Sequence, residues 1–185
     1  MTTSITKSFE VEQNIETVWK NLSDPNEIVT CVPGASLTEQ IDNDNYKGQV
    51  ELKFGPVKAA YDGKITFLER NATTKVMKLN GVGMDTKGKG SAEMTMTGDL
   101  KDNGGKTTVD VTMDISITGQ LAQFGSRLIN DVSNNVFDQF VANFKAKLAN
   151  LPIDNTLNTG SIVATATKGI FGMILDFFRK LFGGK

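Results

Sequence analysis

Between Ala35 and Gly119 apolar and polar residues alternate with period two. The clearest run is TTVDVTMDISITG, where Val109, Val111, Met113, Ile115 and Ile117 alternate with Thr108, Asp110, Thr112, Asp114, Ser116 and Thr118. Such alternation predicts a strand with one dry and one wet face. Val50, Leu52 and Phe54 alternate with Gln49, Glu51 and Lys53. Ala59, Tyr61, Ile65 and Phe67 alternate with Ala60, Asp62, Lys64 and Thr66, and Ala92, Met94, Met96 and Leu100 with Glu93, Thr95, Thr97 and Asp99. Turn signals at Asp42–Asn45, Gly55-Pro56, Asn71–Thr73, Asp85–Gly88 and Asp102–Gly105 separate the runs. Links this short predict an antiparallel meander whose single apolar face must be covered.

The flanks supply the rest. Ser4–Glu12 has an extended pattern, and Asn14 is placed to cap a helix over IETVWKNL with Val18 and Leu22 on one face. Pro25 opens a second short helical turn that stops at Val32-Pro33-Gly34. After the strands, Phe124, Leu128, Val132, Val136, Phe140, Phe144 and Leu148 recur at four-residue spacing, widened by Ile129, Phe137 and Val141. This predicts an amphipathic helix of about 25 residues.

One strand, two short helices, about six strands and one long helix make an α+β chain of the helix-grip kind. A curved antiparallel sheet wraps a C-terminal helix, and the two diverge at one end to leave a cavity. The predicted inward, ligand-binding set is Leu52, Phe54, Tyr61, Ile65, Met94, Met96, Met113, Ile115, Phe124, Leu128, Val132 and Phe140. Its methionines accommodate irregular apolar shapes. Residues 1–149 are expected to form this domain and 150–160 a polar linker.

The last segment, 161–185, has a different character. It ends in KGIFGMILDFFRKLFGGK and carries Lys168, Arg179, Lys180 and Lys185 against Asp176, a balance of +3. The whole chain has net charge −1, so residues 1–160 carry −4. A slightly acidic body argues against a nucleic-acid partner, whose phosphates require a basic face. Taken as a helix, the tail places Thr165, Lys168, Gly172, Asp176, Arg179 and Lys180 on a narrow polar stripe. Ile170, Phe171, Ile174, Phe177, Phe178 and Leu181 occupy the other faces. The apolar residues, with Arg179 and Lys180, form the predicted membrane-binding set of a helix lying in an anionic lipid surface; packing on protein is the alternative. No stretch approaches the roughly 20 uninterrupted apolar residues of a spanning helix.

Composition narrows the chemistry. There is no histidine, which removes the commonest general base and metal ligand. Cys31 is the single cysteine among 185 residues, so no intramolecular disulfide can form. The opening MTTSITKSFEVEQ lacks the basic and apolar regions of a secretory signal, and a cytoplasmic location, peripheral on the inner face of the cell membrane, is expected. GMDTKGKG (83–90) nearly matches a phosphate-binding GxxxxGK[ST] loop, but Gly90 stands where the hydroxyl belongs and strand periodicity follows. It is read as a hairpin turn. Cys31 has no base to activate it and is read as packed, with Pro33-Gly34 turning the chain. Asp62, Glu69 and Asp85 fall on outward or turn positions. No catalytic residue, metal site or cofactor is assigned.

Four segments together, VWKNLSDPNEIVTCVPGA (18–35), YKGQVELKFGPVKAAYDGKI (46–65), LNGVGMDTKGKGSAEM (79–94) and ITGQLAQFGSRLI (117–129), resemble the CoxG family, named for carbon monoxide dehydrogenase, within the START-like, SRPBCC superfamily. The resemblance implies a non-catalytic accessory protein, associated with molybdenum-containing carbon monoxide dehydrogenase or related hydroxylases and with their attachment to membranes. It also implies a cavity for lipids, quinones or other apolar molecules. A cavity enzyme of the cyclase or aromatase kind and a ligand-free adaptor remain as alternatives. Enzymes of that kind place acids, histidines or tyrosines inside, whereas the inward set here has Tyr61 as its main polar member. Elemental analysis of the purified protein is expected to find no stoichiometric zinc or iron; finding either would overturn the non-catalytic reading.

Overall fold

The structure is a computed structural model that describes residues 1–54 and 57–154, with Phe54 and Val57 described by their backbone alone. In chain order the elements are β1 (Thr2–Val11), α1 (Ile15–Leu22), α2 (Pro25–Val29), β2 (Ala35–Gln40), β3 (Asn45–Phe54), β4 (Val57–Asn71), β5 (Val76–Asp85), β6 (Ser91–Asn103), β7 (Lys106–Ile117), a 3₁₀ turn (Leu121–Phe124) and α3 (Gly125–Leu148). The strands form one antiparallel sheet in the order β1-β7-β6-β5-β4-β3-β2. This is the helix-grip architecture expected from the pattern.

Local chemistry explains the boundaries. Asn14 Oδ1 accepts from the Thr17 N–H at 3.0 Å and caps α1, and Asp24 accepts from the Asn26 N–H at 2.9 Å ahead of Pro25 in the first turn of α2. Asp42 accepts from the Asp44 and Asn45 N–H groups at 2.8 Å in the β2–β3 turn. Asn71 accepts from Thr73 and Thr74 at 3.1 Å in the β4–β5 turn. These side chains substitute for backbone acceptors in the turns. The proposed turn at Gly55-Pro56 lies outside the described residues.

Helix α3 departs from its expected stripe. Ile129, Phe137, Asn143 and Phe144 are its buried residues, while Phe124 is 46% exposed. A strict four-residue repeat advances about 40° per step on a helix of 3.6 residues per turn. The series from Phe124 to Leu148 therefore winds around the helix, and the buried line mixes three- and four-residue steps.

α3 approaches the sheet most closely along β1 and runs parallel to it. Thr3 donates to Asn130 near the start of both elements, Lys7 pairs with Asp138 at 3.5 Å, and the Phe9 ring lies 6.4 Å from Phe144 further along. The helix start is fixed by a backbone-to-backbone contact. The Gln120 N–H donates to Lys89 O and the Thr118 N–H to Ser91 O, both at 2.9 Å. A Cβ on Gly119 (φ +75°) would lie 1.9 Å from Lys89 O, and one on Gly90 would lie 2.3 Å from Thr118 O. The β5–β6 hairpin and the β7–α3 link can approach this closely only as glycines.

Gly119→Ala is expected to destabilise the protein by about 2 kcal/mol or more, through clash and left-handed backbone strain together. Gly104→Ala, at φ +64° with open space around it, should cost only about 1 kcal/mol. Urea unfolding of the two variants side by side checks this; equal losses would show that the Gly90–Gly119 contact is unimportant.

Candidate ligand-binding site

Two apolar clusters occupy the concave face of the sheet. The larger joins β1, β6, β7, α1 and the C-terminal half of α3 through Phe9, Val18, Trp19, Leu100, Val109, Phe137 and Phe144. Rings of Phe9 and Phe137 meet edge-on at 6.0 Å, and Phe140 and Phe144 stack at 6.0 Å. The smaller consists of Tyr46, Phe67 and Leu79, with Leu37 and Ile65 against it. Met94 and Met96 pack against both clusters. The site therefore centres on two flexible thioether side chains between a helix-covered half of the sheet and an opposite half on β3–β5.

Beyond these methionines, toward the start of α3, the concave face is short of side chains. Gly48 pairs with Gly63, Gly63 with Gly83, and Gly83 with Ala92, so three glycines and an alanine cross four strands in one row. Gly81 stands next to this row, between Ile65 and Met94. A Cβ on Gly48 would lie 2.6 Å from Ser36 O, and one on Gly63 would lie 2.7 Å from Val82 O. The glycines let neighbouring strands approach closely, and they leave a floor without side chains.

At the far side of the glycine row stands Tyr61, 6% exposed and directly across from Asp85. Burial, and secondarily the Asp85 carboxylate, push its phenol above the usual 10.0. Its hydroxyl has no hydrogen-bond partner among the described residues, whereas that of Tyr46 donates to Asn43 O at 2.8 Å. Asp85 is committed to the hairpin, accepting from Lys87 and Lys89 N–H groups at 2.9 and 3.2 Å. It is half-buried and faces Tyr61 across the strands, so it lies closer to the concave face than its turn position suggested.

The sequence-predicted residues distribute as follows. Tyr61 and Met113 are buried, and Leu52, Ile65, Met94, Met96, Ile115, Leu128, Val132 and Phe140 are half-buried. Met94, Met96, Ile115 and Phe140 pack against the larger cluster that contains Met113. Leu52 lies opposite Ala59 on the adjoining strand. The expectation that Phe124 points inward is corrected: it ends the 3₁₀ turn and is parted from α3 by Gly125 (φ +81°), so the helix periodicity does not extend to it, and it sits exposed at the rim. The Phe54 side chain and the whole set Ile170, Phe171, Ile174, Phe177, Phe178, Arg179, Lys180 and Leu181 lie outside the described residues.

Sequence reasoning missed two features. The glycine row depends on strand register, and single glycines in a strand carry no signal that they will align. Asn143, buried in α3, donates from Nδ2 to Cys31 O at 3.0 Å and to Asp154 O at 2.9 Å, tying the loop after α2 and the segment after α3 to one helix. Cys31 is fully buried, and that burial raises its thiol above 9.0, which disfavours the nucleophilic thiolate. GMDTKGKG forms the β5–β6 hairpin, as read. Among the described residues no group of histidine, cysteine or carboxylate side chains could hold a metal ion. A shallow cleft of about 370 Å³ near the end of α3, between Glu10, Glu12, Gln13, Lys145 and Leu148, lies away from the glycine row.

The sequence model of the CoxG subunit of carbon monoxide dehydrogenase matches residues 8–149. The chain belongs to the CoxG family. No curated protein matches it in sequence. Among solved structures, a conserved protein from Geobacillus kaustophilus is 26% identical with a TM-score of 0.73, covering 80% of this chain and 96% of its own. The Zhui aromatase/cyclase from Streptomyces sp. R1128 is 8% identical (TM-score 0.58, 80% and 96% covered). Truncated norcoclaurine synthase from Thalictrum flavum is 14% identical (TM-score 0.56, 80% and 94% covered). The latter two likenesses show the shared START-like, SRPBCC fold. In this CoxG chain the segments 79–94 and 117–129 that carried the resemblance meet at the Gly90–Gly119 contact.

Both Tyr61 and Cys31 hold their protons more tightly when folded than when unfolded. Their ionisation therefore favours the unfolded chain, so these two groups leave stability unchanged well below pH 9 and lower it as pH rises through and beyond their ordinary values of 9.0 and 10.0. Urea midpoints measured from pH 8 to 11 should show this decline, and Tyr61→Phe should flatten its upper part. A slope unchanged in that variant would mean that Tyr61 is not held in a desolvated site.

Proposed function

We propose that this protein is a non-catalytic binding and accessory protein that holds an apolar molecule, a lipid or quinone-like compound, between α3 and the sheet. The observation that carries this reading is the side-chain-free floor of Gly48, Gly63, Gly81 and Gly83, bordered by Met94, Ile65 and Tyr61. The Tyr61 hydroxyl would supply one polar contact to the bound molecule, a common arrangement in apolar sites. A family named for a component of carbon monoxide dehydrogenase supports an accessory role, with recruitment of a molybdenum-containing enzyme of that type as the proposed partnership.

A second reading, a small cavity enzyme, draws on the fold shared with an aromatase/cyclase and norcoclaurine synthase. Acid–base work needs a positioned proton donor or acceptor of suitable pKa. Tyr61 is shifted away from neutrality, and Asp85 is occupied by backbone donors, so the concave face favours binding.

Mass spectrometry of organic extracts from the purified protein should release a stoichiometric apolar compound. Gly81 is the position for a blocking variant, since a Cβ there meets only the Met94 methyl, at an ordinary 3.8 Å. Gly81→Leu should keep the fold and lose the copurifying compound by about tenfold or more, from occluded apolar area. Retention of the compound at wild-type level would place it elsewhere.

We further propose that residues 161–185 bind the inner surface of the cell membrane reversibly. About eight large apolar side chains, each contributing roughly 1.5–3 kcal/mol when buried, nearly offset the ordering of about 18 residues at about 1–2 kcal/mol each, once helix hydrogen bonding is included. The +3 charge then decides the affinity, at about 1 kcal/mol per basic residue near anionic lipid. Flotation with anionic vesicles should weaken with added salt and on removal of 161–185. A full chain that stays off such vesicles at low salt would end the membrane reading and leave the tail to pack on protein.

A further inference from the structure

The two ends of the sheet differ in how the cations on their strands and turns are satisfied. At the end bearing the β2–β3, β4–β5 and β6–β7 turns, Arg70 pairs with Asp44, Lys75 with Glu16 at 2.7 Å, Lys101 with Asp110 at 2.7 Å and Lys106 with Glu12 at 2.7 Å. The opposite end carries the β5–β6 hairpin and the start of α3, with the last described residues of β3 and the first of β4 beside them. Lys53, Lys58, Lys87, Lys89 and Arg127 stand there, all exposed, and none has an ion pair among the described residues.

Their placement is unfavourable in water alone. Lys53 and Lys58 are directly opposed across β3 and β4, where like charges destabilise a sheet. The Thr86 N–H donates to Ala60 O, which sets the hairpin of Lys87 and Lys89 beside Lys58. Gln120 bonds to Lys89 O, which brings Phe124 and Arg127 to the same rim. Phe124 is 46% exposed, and Met84, next to the hairpin tip, is 59% exposed. Lysines and arginine around exposed aromatic and thioether side chains match the headgroup and upper acyl layers of an anionic bilayer.

We propose that this end of the domain is a second membrane contact, seating the mouth of the ligand site on an anionic lipid surface. The inference rests on the binding function proposed above and adds to it the route of entry: the bound molecule passes between the start of α3 and the glycine row without crossing water. A tail at 161–185 would tether the protein, and the rim would orient it.

The test uses the full chain. An environment-sensitive nitrobenzoxadiazole label is attached at Gln123→Cys on the rim and, separately, at Thr73→Cys in the β4–β5 turn; Cys31 is buried and stays unlabelled. On vesicles with about 30% phosphatidylglycerol in phosphatidylcholine, the rim label should shift to the blue and be quenched by brominated acyl chains, while the Thr73→Cys label does neither. Reversing Lys53, Lys58, Lys87 and Lys89 to glutamate should weaken partitioning on the order of 1,000-fold or more on these vesicles. Pure phosphatidylcholine should give no rim shift. A chain that floats with its rim label still in water overturns the proposal, leaving the tail as the sole contact. Wild-type partitioning of the reversed variant overturns it equally. Neither outcome touches the ligand reading, which stands or falls on the extracted compound.

Discussion

Phe9 on β1 and Phe137, Phe140 and Phe144 on α3 form the joint on which the rest of the fold depends. Their centroids lie 6.0 to 6.4 Å apart, mostly edge to face, and they bring the helix against the edge of the sheet formed by β1 and β7. Each buried ring contributes roughly 1.5–3 kcal/mol and each aromatic pair about 0.5–1.5 kcal/mol more. Among the described residues no such joint links α3 to the Tyr46–Phe67–Leu79 cluster on the other half of the sheet. The helix is thus held along one side, and the concave face over β3–β5 is bordered by methionines and glycines.

That asymmetry relates the fold to its proposed work. A sheet gripping its helix evenly would fill its own interior. Here Met94 and Met96 span the space between two clusters, and the glycine row removes side chains from the adjoining stretch of β3–β5. The Gly90–Gly119 contact fixes where α3 begins and therefore where the mouth lies. Asn143 performs the complementary task at the other end, holding Cys31 O and Asp154 O so that the helix-covered side stays closed. One end is tied by hydrogen bonds and ion pairs, and the other presents an exposed phenylalanine and cations without ion pairs among the described residues.

Membership of the CoxG family supports the proposed accessory role. The polar groups near the concave face are few and already engaged or shifted from neutrality. Tyr61 is the exception in having a hydroxyl without a hydrogen-bond partner among the described residues, which suits the polar contact proposed for it.

The sequence alone determined the strands, the caps and the class of fold, because these follow from period-two alternation and from Asn14, Asp24, Asp42, Asn71 and Asp85 acting within a few residues of themselves. It also excluded histidine chemistry, and its strand alternation placed Met94, Met96, Met113 and Ile115 in or against the core. Only the tertiary structure decided the remainder. Whether Gly48, Gly63 and Gly83 align depends on register between strands, which no single strand encodes. Phe124 went to the rim because the chain turns at Gly125 before α3 settles into its helix, so helical spacing does not govern it, and its environment is set by where the β5–β6 hairpin pins the helix start. Which lysines are paired and which are left facing outward depends on the ends to which antiparallel connections deliver them, a property of the assembled sheet.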